Sequence, residues 1–211
     1  MGMTDKRYFD EFHTHLMEDE KPSLYFKALE ESGLFSSGYP FTLLSALKQT
    51  EQNPTHHPEG NVWNHTLLVV DNAALVRDQS EDREVFMWSA LLHDIGKPPT
   101  TRLRKGKITS YDHDKAGERL SAEFLSAFTQ DESFILKVSK MVRWHMQVLM
   151  VIKGLPFANI KAMVREVPLH EIALLGMCDR LGRGEITQQM IDDEKKHMKH
   201  FLEKCMPYVK V

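Results

Sequence analysis

The sequence predicts an all-α protein, and three observations lead there. Apolar residues recur at helical spacing through most of the 211 residues. Two stretches, Val85–Lys97 and Pro168–Leu181, are so apolar that helices made of them have almost no solvent face and must be buried. Prolines, glycines and Asp or Asn residues punctuate the chain at helix-sized intervals. Only Ile108–Tyr111 has strand character, enough for a small hairpin arm with Arg102 and Leu103.

Taken in order, Asp5–Glu18 forms a helix with Tyr8, Phe12 and Leu16 on one side, and His13 and His15 read as solvated. Pro22 starts a second helix through Glu30, which Ser32 and Gly33 end. A third runs from Phe41 to Lys48. Thr50–Gly60 is the longest loop, its two prolines and one glycine excluding regular structure. Asn61 or Gly60 then begins a helix over 62–78. On it His65 shares a face with Leu68, Val69, Asn72 and Val76, where the plain reading is a core histidine with one hydrogen bond.

The central helix, Val85–Lys97, delivers His93 and Asp94 to the edge of the core before Gly96, Pro98 and Pro99 stop it. Asp112 is expected to cap a helix over 113–128 with Leu120, Phe124, Leu125 and Phe128 inward. Asp131 caps the next, predicted as one helix from Ser133 to Met150, with His145 on its apolar stripe. A short helix lies near Ala158–Val164. Pro168–Leu181 ends in Asp179 and Arg180, and an amphipathic helix covers about 187–204. His170, His197 and His200 read as surface residues. The expected organisation is an N-terminal helical extension over 1–50, a core over 51–185 and a C-terminal helix over 186–211, both packed on the core.

Hydrophobic residues make up 42% and charged residues 27% of the chain, ordinary values for a soluble globular protein. A net charge of -3 argues against a strongly basic nucleic-acid scaffold but leaves room for a local basic pocket. Cys178 and Cys205 lack metal-ligand spacing and read as buried, reduced thiols of a cytoplasmic protein. No basic segment followed by an apolar core opens the chain, and no apolar run reaches about 18 residues, so neither export nor membrane spanning is expected.

Six polar residues lie on apolar helical faces or at their ends: His65, His93, Asp94, His113, His145 and Asp179. Hiding each separately is costly, and each would need its own partner, such as an arginine for Asp94. One or two divalent ions would satisfy them together, and imidazole with carboxylate suits Mn, Fe, Co, Ni or Zn. Lys97 and the basic run Thr100–Lys107 follow directly. Such a run is usually a solvated face, but beside a metal it suits an electropositive mouth for phosphate.

The order His65, His93-Asp94, Asp179, with Leu91-Leu92-His93-Asp94-Ile95-Gly96-Lys97, resembles the HD superfamily of metal-dependent phosphohydrolases. His57-Pro58-Glu59-Gly60-Asn61-Val62-Trp63-Asn64-His65-Thr66-Leu67 and Tyr111-Asp112-His113-Asp114-Lys115-Ala116-Gly117 narrow the likeness to the HD domain of bacterial CCA-adding tRNA nucleotidyltransferases. The likeness covers most of residues 24–182, and 211 residues leave no room for a nucleotidyltransferase half. It implies an HD helical bundle with a metal site in its core and extra N-terminal helices. His65, His93, Asp94 and Asp179 would form a first metal site, with His113 and His145 joining a second bridged by Asp94. Met146 stands where that two-ion version commonly carries a further histidine. With one ion only, His113 and His145 would instead meet phosphate or orient water.

The implied activity is hydrolysis of a phosphoester, as a phosphatase or cyclic phosphodiesterase, on a small phosphorylated substrate of nucleotide type or on an RNA 3′ end. Its cofactor would be one or two divalent ions, Mn, Fe, Ni, Co, Zn or Mg. Asp94 and Lys97 are the catalytic candidates. Lys97, Arg102, Arg180 and Arg183 are the phosphate-binding candidates, with surface or carboxylate-paired arginines as the plainer reading. Asp114 is expected to orient its neighbour His113. The rival classes are a di-iron oxygenase on the same fold, a nucleotide or RNA-end binding module without turnover, and a purely structural helical protein. Substrate, native metal and oligomeric state do not follow from the sequence.

Overall fold

The computed structural model describes residues 6–209. The start of the first helix at Asp5 lies outside them.

Three N-terminal helices, α1 (Lys6–Glu18), α2 (Pro22–Glu31) and α3 (Thr42–Lys48), precede the long loop. They lie against α4 (Val62–Val76) and α5 (Arg83–Leu92). Aromatic packing fastens this layer: Phe9 of α1 stacks on Trp88 of α5 at 4.9 Å, and Phe12 meets Phe26 edge-on at 5.1 Å. Each of the fully buried rings, Phe12, Phe26 and Trp88, contributes roughly 2–3 kcal/mol. Asn61 caps α4 by accepting the Asn64 amide, as its position before the apolar run predicts.

Every residue of α5 from Val85 to Leu92 is buried, the outcome its lack of a polar face requires. It is surrounded by α1, α4, α8 (Glu132–Trp144) and α11 (Leu169–Leu181). The helix ends at Leu92 rather than running on to Lys97. His93–Gly96 form a tight turn closed by Ile95 N–H to Leu92 O (3.0 Å) and Lys97 N–H to Asp94 O (2.9 Å), and α6 (Lys97–Thr100) follows.

Gly96 is not a left-handed cap, since its φ is −83°. A Cβ there would stand 2.0 Å from the carbonyl oxygen of His113 and 2.4 Å from the amide nitrogen of Gly117. Its absence lets the turn touch the backbone of α7 (His113–Ser126).

The hairpin arm forms as predicted. β1 (Arg102–Arg104) pairs antiparallel with β2 (Lys107–Thr109) in the register Arg102↔Thr109, Leu103↔Ile108, Arg104↔Lys107. Lys105 and Gly106 turn it with φ of 49° and 74°, the two positive values a tight hairpin turn needs. Asp112 precedes α7 but its side chain caps nothing, pairing instead with Lys115 at 2.7 Å.

The single helix expected over 133–150 is two. α8 stops at Trp144, and α9 (Gln147–Ile152) begins after a bend at His145–Met146. The cause is local: His145 Nδ1 donates to Val142 O at 2.6 Å, competing for a carbonyl that would otherwise continue the helix. α10 (Ile160–Glu166) and α11 follow, and α12 (Gln188–Cys205) packs on α11 and α9. Among the described residues no helix is long and apolar enough to cross a membrane.

Candidate metal centre

The four core histidines share one device. His65 Nδ1 lies 2.9 Å from the carbonyl of Gly182, His93 Nδ1 2.9 Å from that of Ala90, His113 Nδ1 2.7 Å from that of Ser110, and His145 Nδ1 2.6 Å from that of Val142. A carbonyl can only accept, so each Nδ1 carries the hydrogen, and Nε2 is the atom each ring turns toward the carboxylates. This bond to the far nitrogen is how metal-binding imidazoles are normally held.

The Nε2 atoms converge on Asp94, a carboxylate only 2% exposed. Its Oδ2 faces one pair, at 3.3 Å from His93 Nε2 and 3.8 Å from His65 Nε2. Its Oδ1 faces the other, at 3.5 Å from His113 Nε2 and 3.8 Å from His145 Nε2. Asp179, at the end of α11, adds Oδ1 at 3.0 Å from His65 Nε2. Two donor groups result, His65–His93–Asp179 and Asp94–His113–His145, each with ligand atoms within 4.8 Å of one another.

These residues fit a divalent cation. His93 Nε2 is buried with no hydrogen-bond partner. His113 Nε2 and His145 Nε2 stand 3.2 Å apart with both Nδ1 hydrogens committed elsewhere. Buried acceptors facing one another without a donor are costly, and a shared cation removes that cost.

The electrostatics set His65 apart from His113 and His145. Burial works against ionising Asp94, but Lys97 and His93 outweigh it and hold the carboxyl well below its usual range. Burial is likewise overcome at Asp179 by His65 and Arg183. Burial also opposes a charge on His65, yet the carboxylates of Asp179 and Glu59 bring its pKa to about 9, so its Nε2 holds a proton toward Asp179 that a cation would displace. His145 is lowered to about 4 by burial and then by His113 and His93. His113 is lowered too, chiefly by burial.

Above this centre opens a cleft of about 360 Å³, the size of a small-molecule site. The loop supplies Gln52, Asn53, His56 and His57, and the segment 108–111 supplies the facing wall. Asp94, Asp179, Lys97, His113 and Arg183 line its floor and sides.

Lys97 Nζ is 2.7 Å from Asp94 Oδ2 and donates to Gln52 Oε1 at 2.6 Å. Arg183 reaches the cleft, with its Nε buried and without a hydrogen-bond partner. The other two predicted arginines lie elsewhere. Arg180 forms a two-pronged pair with Glu194 of α12, Nη2 to Oε1 at 2.7 Å. Arg102 is exposed on β1 and donates to Thr101 O. Asp114 pairs with Arg143 of α8 and does not touch His113, whose Nδ1 is taken by the Ser110 carbonyl.

Sequence reasoning missed a third wall, formed by Met146, Leu149 and Lys153 around α9. It also missed Gln52, His57 and Glu59, which lie in a loop without periodicity. Glu59 Oε1 accepts from His57 Nδ1 at 2.7 Å and stands 2.9 Å from His65 Nδ1. Burial opposes its ionisation, but His57 and His65 lower its pKa to about 2.

Residues 62–197 match the HD domain family. Similar curated proteins include the "Multifunctional CCA protein" of Halorhodospira halophila (strain DSM 244 / SL1), 28% identical over 192 residues, which cover 87% of this chain and 43% of that protein. That of Actinobacillus pleuropneumoniae serotype 5b (strain L20) is 37% identical over 84 residues, 39% of this chain and 20% of the relative. That of Pasteurella multocida (strain Pm70) is 31% identical over 117 residues, 55% and 27%. The chain thus spans less than half the length of these relatives.

Proposed function

The chain belongs to the HD-domain family, a superfamily of metal-dependent phosphohydrolases, and from that premise we propose that it hydrolyses a nucleotide or a related phosphoester. The observation that carries the reading is that Asp94, His113 and Asp179 of the histidine–aspartate cluster open onto a cleft whose remaining charged contacts are cationic. His65, His93 and Asp179 with Asp94 would hold one divalent ion, and Asp94, His113 and His145 a second. Bound there, such an ion supplies Lewis acidity toward water and toward a phosphoryl oxygen.

The chain's own side chains do the rest. Lys97 is pinned between Gln52 and Asp94, so its charge meets a phosphate entering the cleft without a search through rotamers. Arg183 also lines the cleft and adds a second positive charge there. Together they stabilise the negative charge that grows on the phosphoryl oxygens as the ester bond breaks.

The exposed basic hairpin beside the cleft favours a second reading, the phosphorylated 3′ end of an RNA as substrate. β1 and β2 carry Arg102, Arg104 and Lys107, and the Arg104 guanidinium lies 5.1 Å from the Tyr111 ring. A backbone leaving the cleft would meet these cations.

The test is a screen of nucleoside monophosphates, cyclic phosphates and an oligoribonucleotide 3′-phosphate against Mn²⁺, Co²⁺, Ni²⁺, Zn²⁺ and Mg²⁺, with Asp94→Ala as control. Ion-dependent phosphate or ester release that disappears in Asp94→Ala is expected. Release that survives the substitution, or oxygen consumption with iron and no hydrolysis, would overturn the reading.

A further inference from the structure

Glu59 has no part in either donor group that includes an Nε2 atom, yet its side chain is only 3% exposed and its Oε2 is buried without a partner. A carboxylate in that position is expensive unless positive charge stands beside it. The groups facing its Oε1 are His57 Nδ1 at 2.7 Å and His65 Nδ1 at 2.9 Å.

His57, Glu59 and His65 could be taken for a cation site of their own. The distances argue otherwise. Two atoms about 2.05 Å from one tetrahedral ion lie about 3.3 Å apart, wider than both contacts of Glu59. The His65 Nδ1 also faces the Gly182 carbonyl at 2.9 Å, and that acceptor requires a hydrogen on the nitrogen.

We propose that Glu59 is a positioning residue for His65, supporting the ring from its Nδ1 side so that its Nε2 binds a cation more tightly. The inference rests on the metal-centre reading above. A cation on Nε2 draws electron density from the imidazole and makes the Nδ1–H side more positive, which strengthens its attraction to Glu59. By linkage the carboxylate strengthens cation binding by the same factor. His57 holds Glu59 in place, tying the cleft loop to α4.

The test is Mn²⁺ titration by calorimetry of the full chain, wild type beside Glu59→Gln, His57→Ala and His65→Ala. Glutamine keeps the shape of the side chain and removes its charge. Glu59→Gln is expected to weaken the binding event abolished by His65→Ala by about 10- to 100-fold. Any event that survives His65→Ala should stay within about threefold in Glu59→Gln. His57→Ala should fall between wild type and Glu59→Gln, because it loosens the carboxylate without removing it.

A purely structural Glu59 would weaken all binding in parallel with a lowered unfolding temperature, and that result overturns the proposal. So does unchanged affinity in Glu59→Gln where His65→Ala loses binding. A wild-type chain that binds no Mn²⁺, Co²⁺ or Zn²⁺ would instead sink the metal-centre reading and this inference with it.

Discussion

Nε2 of His113 lies 3.2 Å from Nε2 of His145, and neither ring can offer the other a hydrogen while its Nδ1–H is bound to a backbone carbonyl. Burial keeps both rings neutral at pH 7, with His145 brought to about 4. Two lone pairs therefore oppose each other inside the fold, beside Asp94 Oδ1.

Cation binding should consequently stabilise the protein. At a free ion concentration about 100-fold above Kd the gain is about 2.7 kcal/mol, or about 5–10 °C in Tm for a chain of this size. Scanning calorimetry of chelator-treated protein with and without Mn²⁺ or Co²⁺ reads this directly. His145→Ala should shrink the shift, and a wild-type Tm that ignores all divalent ions would count against a shared cation.

The arginines separate function from stability. Arg183→Ala should lower kcat/KM about tenfold or more while leaving stability within about 0.5 kcal/mol. Arg180→Ala should do the reverse, costing about 1–3 kcal/mol through the stranded Glu194 and leaving kcat/KM near wild type. Urea unfolding together with steady-state kinetics distinguishes the two, and exchanged phenotypes would refute the assignment.

Gly96→Ala should destabilise by about 3 kcal/mol or more, because a Cβ 2.0 Å from the His113 carbonyl oxygen pushes α7 away from the turn. Reduced affinity for divalent ions should accompany it. A soluble Gly96→Ala protein with wild-type denaturation and metal binding would show that this contact is not needed.

Burial pushes the Cys178 thiol well above its ordinary value of 9.0 and Cys205 up to about 11. Native protein should therefore resist a thiol reagent at pH 8 and react only when unfolded. The benefit of burying neutral thiols is complete below pH 9 and declines above it, since the unfolded chain deprotonates first; for Cys205 the decline ends near 11, and for Cys178 it continues beyond. Cys178→Ala should flatten the alkaline fall in urea stability by up to about 1.4 kcal/mol per pH unit. An identical alkaline slope in that variant would contradict it.

Much of this was legible in the sequence because periodicity reports burial. The unbroken apolar run of α5, the stripe through Phe134, Val138 and Val142, and the polar residues embedded in such faces foretold both the bundle and the histidines that meet inside it. Periodicity says nothing about contacts made by loops. Glu59 and Gln52 reach His65 and Lys97 from an irregular segment, and no spacing rule points to them. Nor does it foresee a side chain taking a helix's own carbonyl, so the apolar stripe runs unbroken across the bend after Trp144. The arginines were ambiguous for another reason: Arg180 and Arg183 are near neighbours in sequence, and only the placement of α12 decides which of them faces Glu194.

The main-chain carbonyls that aim all four imidazoles bear on how this site tolerates genetic drift. Every amino acid carries that acceptor, so substitutions at Ala90, Ser110 or Val142 that keep the backbone path leave the rings pointing as they do. The aim of the rings therefore depends on the path of the main chain, held by close contacts such as that of Gly96 with α7, more than on which side chains these three positions carry.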